Sequence, residues 1–103
     1  MRIDFERSGG FAGMILKAII DTHELPEEEA NELRQLIEEA NFFALPPTIK
    51  SASGADQFTY RLTVIASVRQ HSVEVSDGAV PDSMRPLINH LTTLARTNQR
   101  SQK

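Results

Sequence analysis

The chain has 103 residues, of which 40% are hydrophobic and 24% are charged, a balance typical of one globular domain with one modest core. Its net charge of -3 and its scattered arginines and lysines provide no basic face. Nucleic acid is therefore not expected as a partner, because phosphate contacts supply most of the affinity in such complexes. The absence of cysteine excludes disulfides, thiol nucleophiles and cysteine-bound metals.

Residues 1–6 alternate apolar and charged side chains, a pattern that predicts a half-buried strand and lacks the apolar run of a secretory signal. The longest apolar stretches are too short to cross a bilayer. A cytoplasmic protein without a membrane partner is the expectation. Residues 14–20 resume an apolar run and predict a second strand, which the glycine-bearing residues 8–13 join to the first.

A helix is predicted to begin at Pro26, since proline suits the first helical position and three glutamates follow it in the first turn. Apolar residues at helical spacing then mark one buried stripe. Asn41 and two prolines shortly after it indicate where the helix ends. Residues 48–55 are polar and are interpreted as a loop.

The clearest strand pattern runs from Phe58 to Val68, where every second residue is apolar or aromatic. Arg69 and Gln70 are interpreted as a short turn, and residues 71–76 as a fourth strand. The pattern predicts an antiparallel hairpin.

A second helix is predicted from Pro81. Pro86 either distorts its first turn or marks its true start after a short 3₁₀ turn. Residues 96–103 hold no large apolar side chain, so we expect a domain over 1–95 and a flexible tail over 96–103. The order ββαββα predicts an α+β fold in which two helices pack on one face of a four-stranded antiparallel sheet.

Chain direction predicts that three connections, 8–13, 41–57 and 76–80, meet at one end of the sheet. All five glycines of the chain lie in these connections, and glycine allows a partner to approach the backbone closely. Phe11 stands among three of them, which suits an apolar anchor for a partner's pocket. The alternative interpretation is that Phe11 folds back onto the core.

No arrangement of nucleophile and base, no P-loop and no metal-ligand spacing of histidines is present in the sequence. His71 is in phase with buried strand positions and is expected to be partly buried with its polar atoms satisfied. A non-enzymatic protein without a cofactor is therefore predicted. Asp56 and Asp77 adjoin glycine-bearing turns, where each either caps a turn or points a carboxylate outward to bind a partner's cation.

Motifs spread over nearly the whole chain resemble emfourin, a family of bacterial protein inhibitors of protealysin and related thermolysin-like metalloproteases. Their order and spacing carry the resemblance, and they read Ser8-Gly9-Gly10-Phe11-Ala12-Gly13, Leu25-Pro26-x-Glu28-Glu29-Ala30, Phe42-Phe43-Ala44-Leu45-Pro46, Gly54-Ala55-Asp56-x-Phe58-x-Tyr60-x-Leu62-x-Val64, and Asp77-Gly78-Ala79-Val80-Pro81 with Arg85-Pro86-Leu87-Ile88.

The resemblance implies a reversible inhibitor, a monomer when free, whose partner is a thermolysin-like zinc metalloprotease. One loop supplies an aspartate that coordinates the protease's zinc, with Asp56 as first choice and Asp77 as the alternative. Another loop supplies apolar residues to the substrate-binding subsites, for which Phe11 and Leu45 are the candidates. The predicted protease-binding residues are Gly9, Gly10, Phe11, Ala12, Leu45, Gly54, Asp56 and Asp77. The competing hypothesis is a non-catalytic interaction module with a non-protease partner.

Overall fold

The computed structural model describes residues 1–9, 15–50 and 58–101, with side chains described as far as residue 97. The strands are β1 (Arg2–Gly9), β2 (Leu16–Asp21), β3 (Thr48–Ile49), β4 (Phe58–Ala66) and β5 (Arg69–Ser76). The helices are α1 (Glu27–Glu39) and α2 (Arg85–Ser101). Three short 3₁₀ turns connect them, at Thr22–Glu24, Phe42–Ala44 and Asp77–Ala79.

Within the described residues the sheet has five strands in the order β2-β1-β4-β5-β3, and it is mixed. The predicted four-stranded antiparallel sheet is therefore wrong in detail, although the α+β class is confirmed. The additional strand is β3, which lies in the predicted loop 48–55 and pairs parallel to β5. The carbonyl oxygen of Pro47 accepts a hydrogen bond from the backbone N–H of Glu74 at 2.8 Å, and adjacent prolines favour the extended backbone that such pairing needs.

The core lies between one sheet face and the two helices. On β1 and β4 the buried positions alternate with polar ones, as the sequence predicted. Because the buried residues of paired strands are in register, they share one face. The fully buried side chains include Ile3, Leu62, Val64, Val73 and Val75 from the strands, and Leu33, Leu87 and Leu91 from the helices.

Two boundaries differ from the predictions. The turn between β4 and β5 is formed by Ser67 and Val68, not by Arg69 and Gln70, which open β5. The apolar alternation continued through Val68 and so extended the predicted strand, but in the structure that side chain is 93% exposed.

Helix α2 begins at Arg85, after a turn in which the N–H of Met84 donates to the carbonyl of Pro81 at 2.9 Å. This confirms the second interpretation of Pro86, which lies in the first helical turn where its missing N–H has no intrahelical partner. The helix continues to Ser101, while the division into a domain over 1–95 and a tail over 96–103 stays a prediction. Neither described helix has the length and apolarity that a membrane crossing requires.

Candidate functional site

Strand register brings the flanks of three connections to one end of the sheet. Gly9 pairs with Phe58, Thr59 pairs with Ser76, and Ile49 pairs with Val75. The residues that flank 10–14 and 51–57 therefore lie at the same sheet end as the turn Asp77–Ala79. We call this the loop end.

The beginning of the predicted 41–57 connection lies elsewhere. Phe42 packs edge-on against His71, with ring centroids 5.5 Å apart, and a cavity at the other end of the sheet is lined by Phe42, Met1 and Arg69. Helix α1 therefore does not end at the loop end, although the whole connection 41–57 was predicted to lie there. Residues 42–49 instead follow β5 up to that end.

Gly9 turns the chain out of β1. Its φ of 89° is positive, and this region of backbone space is open to glycine at little cost because glycine has no Cβ. The last residue of β1 therefore occupies a backbone conformation that favours glycine.

Arg7 and Phe58 form a cation–π pair between the flanks of 10–14 and 51–57. The guanidinium carbon of Arg7 lies 4.3 Å from the centroid of the Phe58 ring, and both residues are partly buried. Such a pair contributes about 0.5–1 kcal/mol when partly exposed. It links the ends of β1 and β4 at the loop end.

Asp77 is bound by two neighbours. The hydroxyl of Tyr60 donates to its Oδ1 atom at 3.1 Å, and Nη1 of Arg85 donates to the same atom at 3.3 Å. Nη2 of Arg85 also donates to the Asp77 carbonyl at 3.1 Å. Burial raises the pKa of Tyr60, and the adjacent Asp77 carboxylate raises it further. Asp77 thus links the third loop to β4 and α2.

The predicted site residues divide into three groups. Gly9 and Asp77 lie together at the loop end, whereas Leu45 lies away from it: its carbonyl accepts a hydrogen bond from Nε2 of His71 at 2.7 Å. This confirms His71 as a partly buried, satisfied histidine. His71 pairs with Val64, which lies roughly 20 Å along β4 from the loop end at the usual rise per residue. The remaining predicted residues, outside the described part of the chain, are Gly10, Phe11, Ala12, Gly54 and Asp56.

Sequence reasoning missed an exposed apolar residue at the loop end. Ile15 is 54% exposed and directly follows residues 10–14. Its neighbour Leu16 is buried and pairs with Arg7, so Ile15 lies at the loop end. The prediction placed it inside an apolar strand, and only the alternation that starts at Leu16 reveals that it faces outward.

In the part of the chain that the structure describes, no group of three or more histidine, aspartate or glutamate side chains is placed to hold a metal ion. The carboxylate that the structure places at the loop end, Asp77, is a single group already paired with Arg85. As a binding element it would suit a cation supplied by a partner rather than one held by this chain alone.

The fold and the loop end define a small α+β domain in which the flanks of three connections meet at one end of the sheet. A family model described as Emfourin matches residues 5–92. The chain therefore belongs to the Emfourin family, as its motifs indicated, and membership implies a protease-inhibitor role and favours a non-enzymatic protein. No curated protein and no solved structure gives a significant match to the chain.

Proposed function

We propose that this protein is a reversible inhibitor of thermolysin-like zinc metalloproteases of the protealysin type, and that its loop end enters the active-site cleft. The observation that carries the proposal is the family match over residues 5–92, combined with the convergence of three connections at one sheet end. The block is noncovalent and uses no cofactor of the inhibitor's own.

The proposed zinc ligand is Asp56. A catalytic zinc keeps one coordination position open for water or substrate, and a carboxylate oxygen can occupy that position. Asp77 is the less suitable candidate, because its Oδ1 atom already accepts hydrogen bonds from Tyr60 and Arg85. A zinc ion on the same carboxylate would compete with both donors for its negative charge, while Nη2 of Arg85 would still hold the Asp77 carbonyl. Asp56 carries the coordination in this proposal, and Asp77 supports the loop end.

The proposed apolar contacts come from the first loop. Phe11 fills a subsite next to the scissile bond, where thermolysin-like enzymes accept bulky apolar groups, and Gly9, Gly10 and Ala12 let the backbone approach the cleft closely. Ile15 adds exposed apolar surface beside them. Gly54 likewise lets the backbone near Asp56 approach the cleft closely. Leu45 is not included in this proposal, since its position beside His71 is remote from the loop end.

An inhibition titration tests the proposed function. The protein is added in steps to a fixed concentration of a protealysin-type enzyme, and hydrolysis of a short peptide substrate is followed. We expect activity to fall linearly to an endpoint near one inhibitor per enzyme, as typical protease–inhibitor interfaces of about 1,600 Å² bind tightly. A serine protease assayed in parallel should keep its full activity. If the metalloprotease keeps its activity at micromolar inhibitor and no complex forms, the protein is an interaction module for another partner.

A further inference from the structure

Strand β2 lies at an edge of the sheet, and no strand in the described residues pairs with its outer side. The N–H of Thr22 donates to the carbonyl of Met1 at 2.9 Å, which makes these two residues a hydrogen-bonded pair. Such pairs alternate along an antiparallel ladder, so the even-numbered residues of β2 bond to β1. Lys17, Ile19 and Asp21 therefore direct their backbone N–H and C=O groups away from the sheet, towards the open edge.

The side chains of these same three residues lie on the sheet face that the helices do not cover. Ile19 is 66% exposed, and the Lys17 side chain, whose ammonium lies 3.4 Å from a carboxylate oxygen of Glu6 in the same copy, is 67% exposed. A cation, a branched apolar group and an anion thus alternate along one open edge. This pattern is complementary to itself when the strand is reversed.

We propose that β2 is the interface of a homodimer in which the β2 strands of two copies pair antiparallel. Ile19 lies opposite Ile19 of the second copy at the two-fold axis, and Lys17 lies opposite Asp21 of the second copy at both ends. In this register the outward backbone groups of all three residues form hydrogen-bonded pairs. The proposal replaces the expectation of a monomer.

The side chains select this register over its neighbours. A shift to the next arrangement that keeps the backbone hydrogen bonds places Ile19 opposite Lys17 or Asp21, and so pairs an apolar group with a charge. Lysine on an edge strand usually discourages pairing with another chain. Here the antiparallel copy supplies a carboxylate directly opposite it, and opposite charges across strands are favourable.

The interface does not use the loop end. Because the two strands run in opposite directions, the loop ends of the two copies point away from each other, so each remains open to a partner. Six residues per copy form a small contact, of the class below about 1,200 Å² that is typical of weak complexes. The dimer therefore forms at high concentration, and its test is independent of the inhibitor proposal.

Analytical ultracentrifugation of the full chain tests the dimer. Over about 10 µM to 1 mM, a range in which weak complexes dissociate measurably, the weight-average mass should rise from 11.5 kDa towards twice that value. A wild-type protein that stays at 11.5 kDa at the highest concentration refutes the proposal.

Charge exchange tests the register. Lys17→Asp and Asp21→Lys each place like charges opposite one another, so each variant alone should remain monomeric. An equimolar mixture of the two restores both opposite-charge pairs and should form a heterodimer. Lys50→Asp makes the same charge change at an exposed residue beyond the other edge strand, and this control should dimerise like wild type. A mixture that stays monomeric, or single variants that dimerise normally, overturns the register.

Folding of each variant is checked by circular dichroism, because Asp21 also accepts a hydrogen bond from the N–H of His23 at 2.9 Å. If Asp21→Lys fails to fold, Ile19→Lys replaces it as the test. This variant places two ammonium groups at the two-fold axis and keeps the hydrogen bond between Asp21 and His23. Ile19→Lys should sediment as a monomer at every concentration. A folded Ile19→Lys protein that still dimerises contradicts the proposal.

Discussion

The hydroxyl of Tyr60 donates a hydrogen bond to Oδ1 of Asp77 at 3.1 Å, which ties the longest strand to the turn that follows β5. Tyr60 is 6% exposed and its ring stacks on Phe5, with centroids 6.1 Å apart. The ring is therefore held in place by the core, and its hydroxyl binds Asp77 at the loop end. Arg85 completes the arrangement from α2.

Tyr60→Phe should lower the free energy of unfolding by about 1 kcal/mol, the usual net value of one hydrogen bond. The loss stays small because the ring remains packed and Asp77 keeps its contact with Arg85. Urea denaturation followed by circular dichroism measures the difference. A loss of more than about 3 kcal/mol would show that the substitution disturbs the core as well.

The pH dependence of stability should differ between wild type and Tyr60→Phe at alkaline pH. The folded-state pKa of Tyr60 lies above the ordinary value of 10.0, chiefly through burial and then through the Asp77 carboxylate. A raised pKa means that the fold favours the neutral phenol. The corresponding stability is fully present below about pH 10, the unfolded value, and is lost as the pH rises through the folded pKa.

Denaturation curves collected at intervals from neutral pH to about pH 11 test this expectation. Wild type should lose more stability than Tyr60→Phe across the alkaline part of that range, and the two should run parallel below it. Parallel curves over the whole range would contradict the assignment of a raised pKa to Tyr60.

Exchanging each loop-end aspartate for asparagine separates the zinc ligand from the structural anchor. Asp56→Asn should raise the inhibition constant about 100-fold, as expected for a central interface residue worth more than about 2 kcal/mol, and leave unfolding unchanged. Asp77→Asn should weaken its contact with Arg85, cost about 0.5–1 kcal/mol of stability for a half-exposed pair, and change inhibition only a few-fold. The reverse pattern would identify Asp77 as the ligand.

Gly9→Ala should destabilise the protein by about 1–2 kcal/mol, since the backbone at φ 89° places a Cβ against its own carbonyl. Gly78→Ala is the matched control, because Gly9 is the described glycine with positive φ and Gly78 is not. Thermal unfolding of both variants gives the comparison. Equal melting temperatures would mean that the β1 end relaxes to accept a side chain.

Sequence periodicity predicted the parts of the fold where burial alternates. The phase of β4 is correct from Tyr60 to Val64, because a half-buried strand requires that alternation. Strand β3 was not predicted, because two residues, Thr48 and Ile49, are too few to show a period. Their pairing also depends on β5 residues such as Glu74, which are distant in the sequence.

The candidate site was predictable only in outline. Glycine positions and chain direction indicated which connections meet, and the paired strand ends agree with that. The Asp77–Arg85 contact was not foreseeable, because it depends on where α2 begins relative to β5. Leu45 was expected at the loop end, whereas its carbonyl accepts a hydrogen bond from His71; its part in protease binding stays a prediction.

Removing an apolar side chain should weaken inhibition only when that side chain belongs to the loop end. Phe11→Ala should raise the inhibition constant about 30-fold, as aromatic anchors at interface centres are worth about 2 kcal/mol or more. Val68→Ala is the matched control: this side chain is 93% exposed and occupies the β4–β5 turn, at the sheet end opposite Gly9. It should inhibit like wild type, because it would lie outside the protease contact. Equal inhibition by both variants would place the working surface elsewhere on the molecule, whereas a loss confined to Val68→Ala would move it to the opposite end.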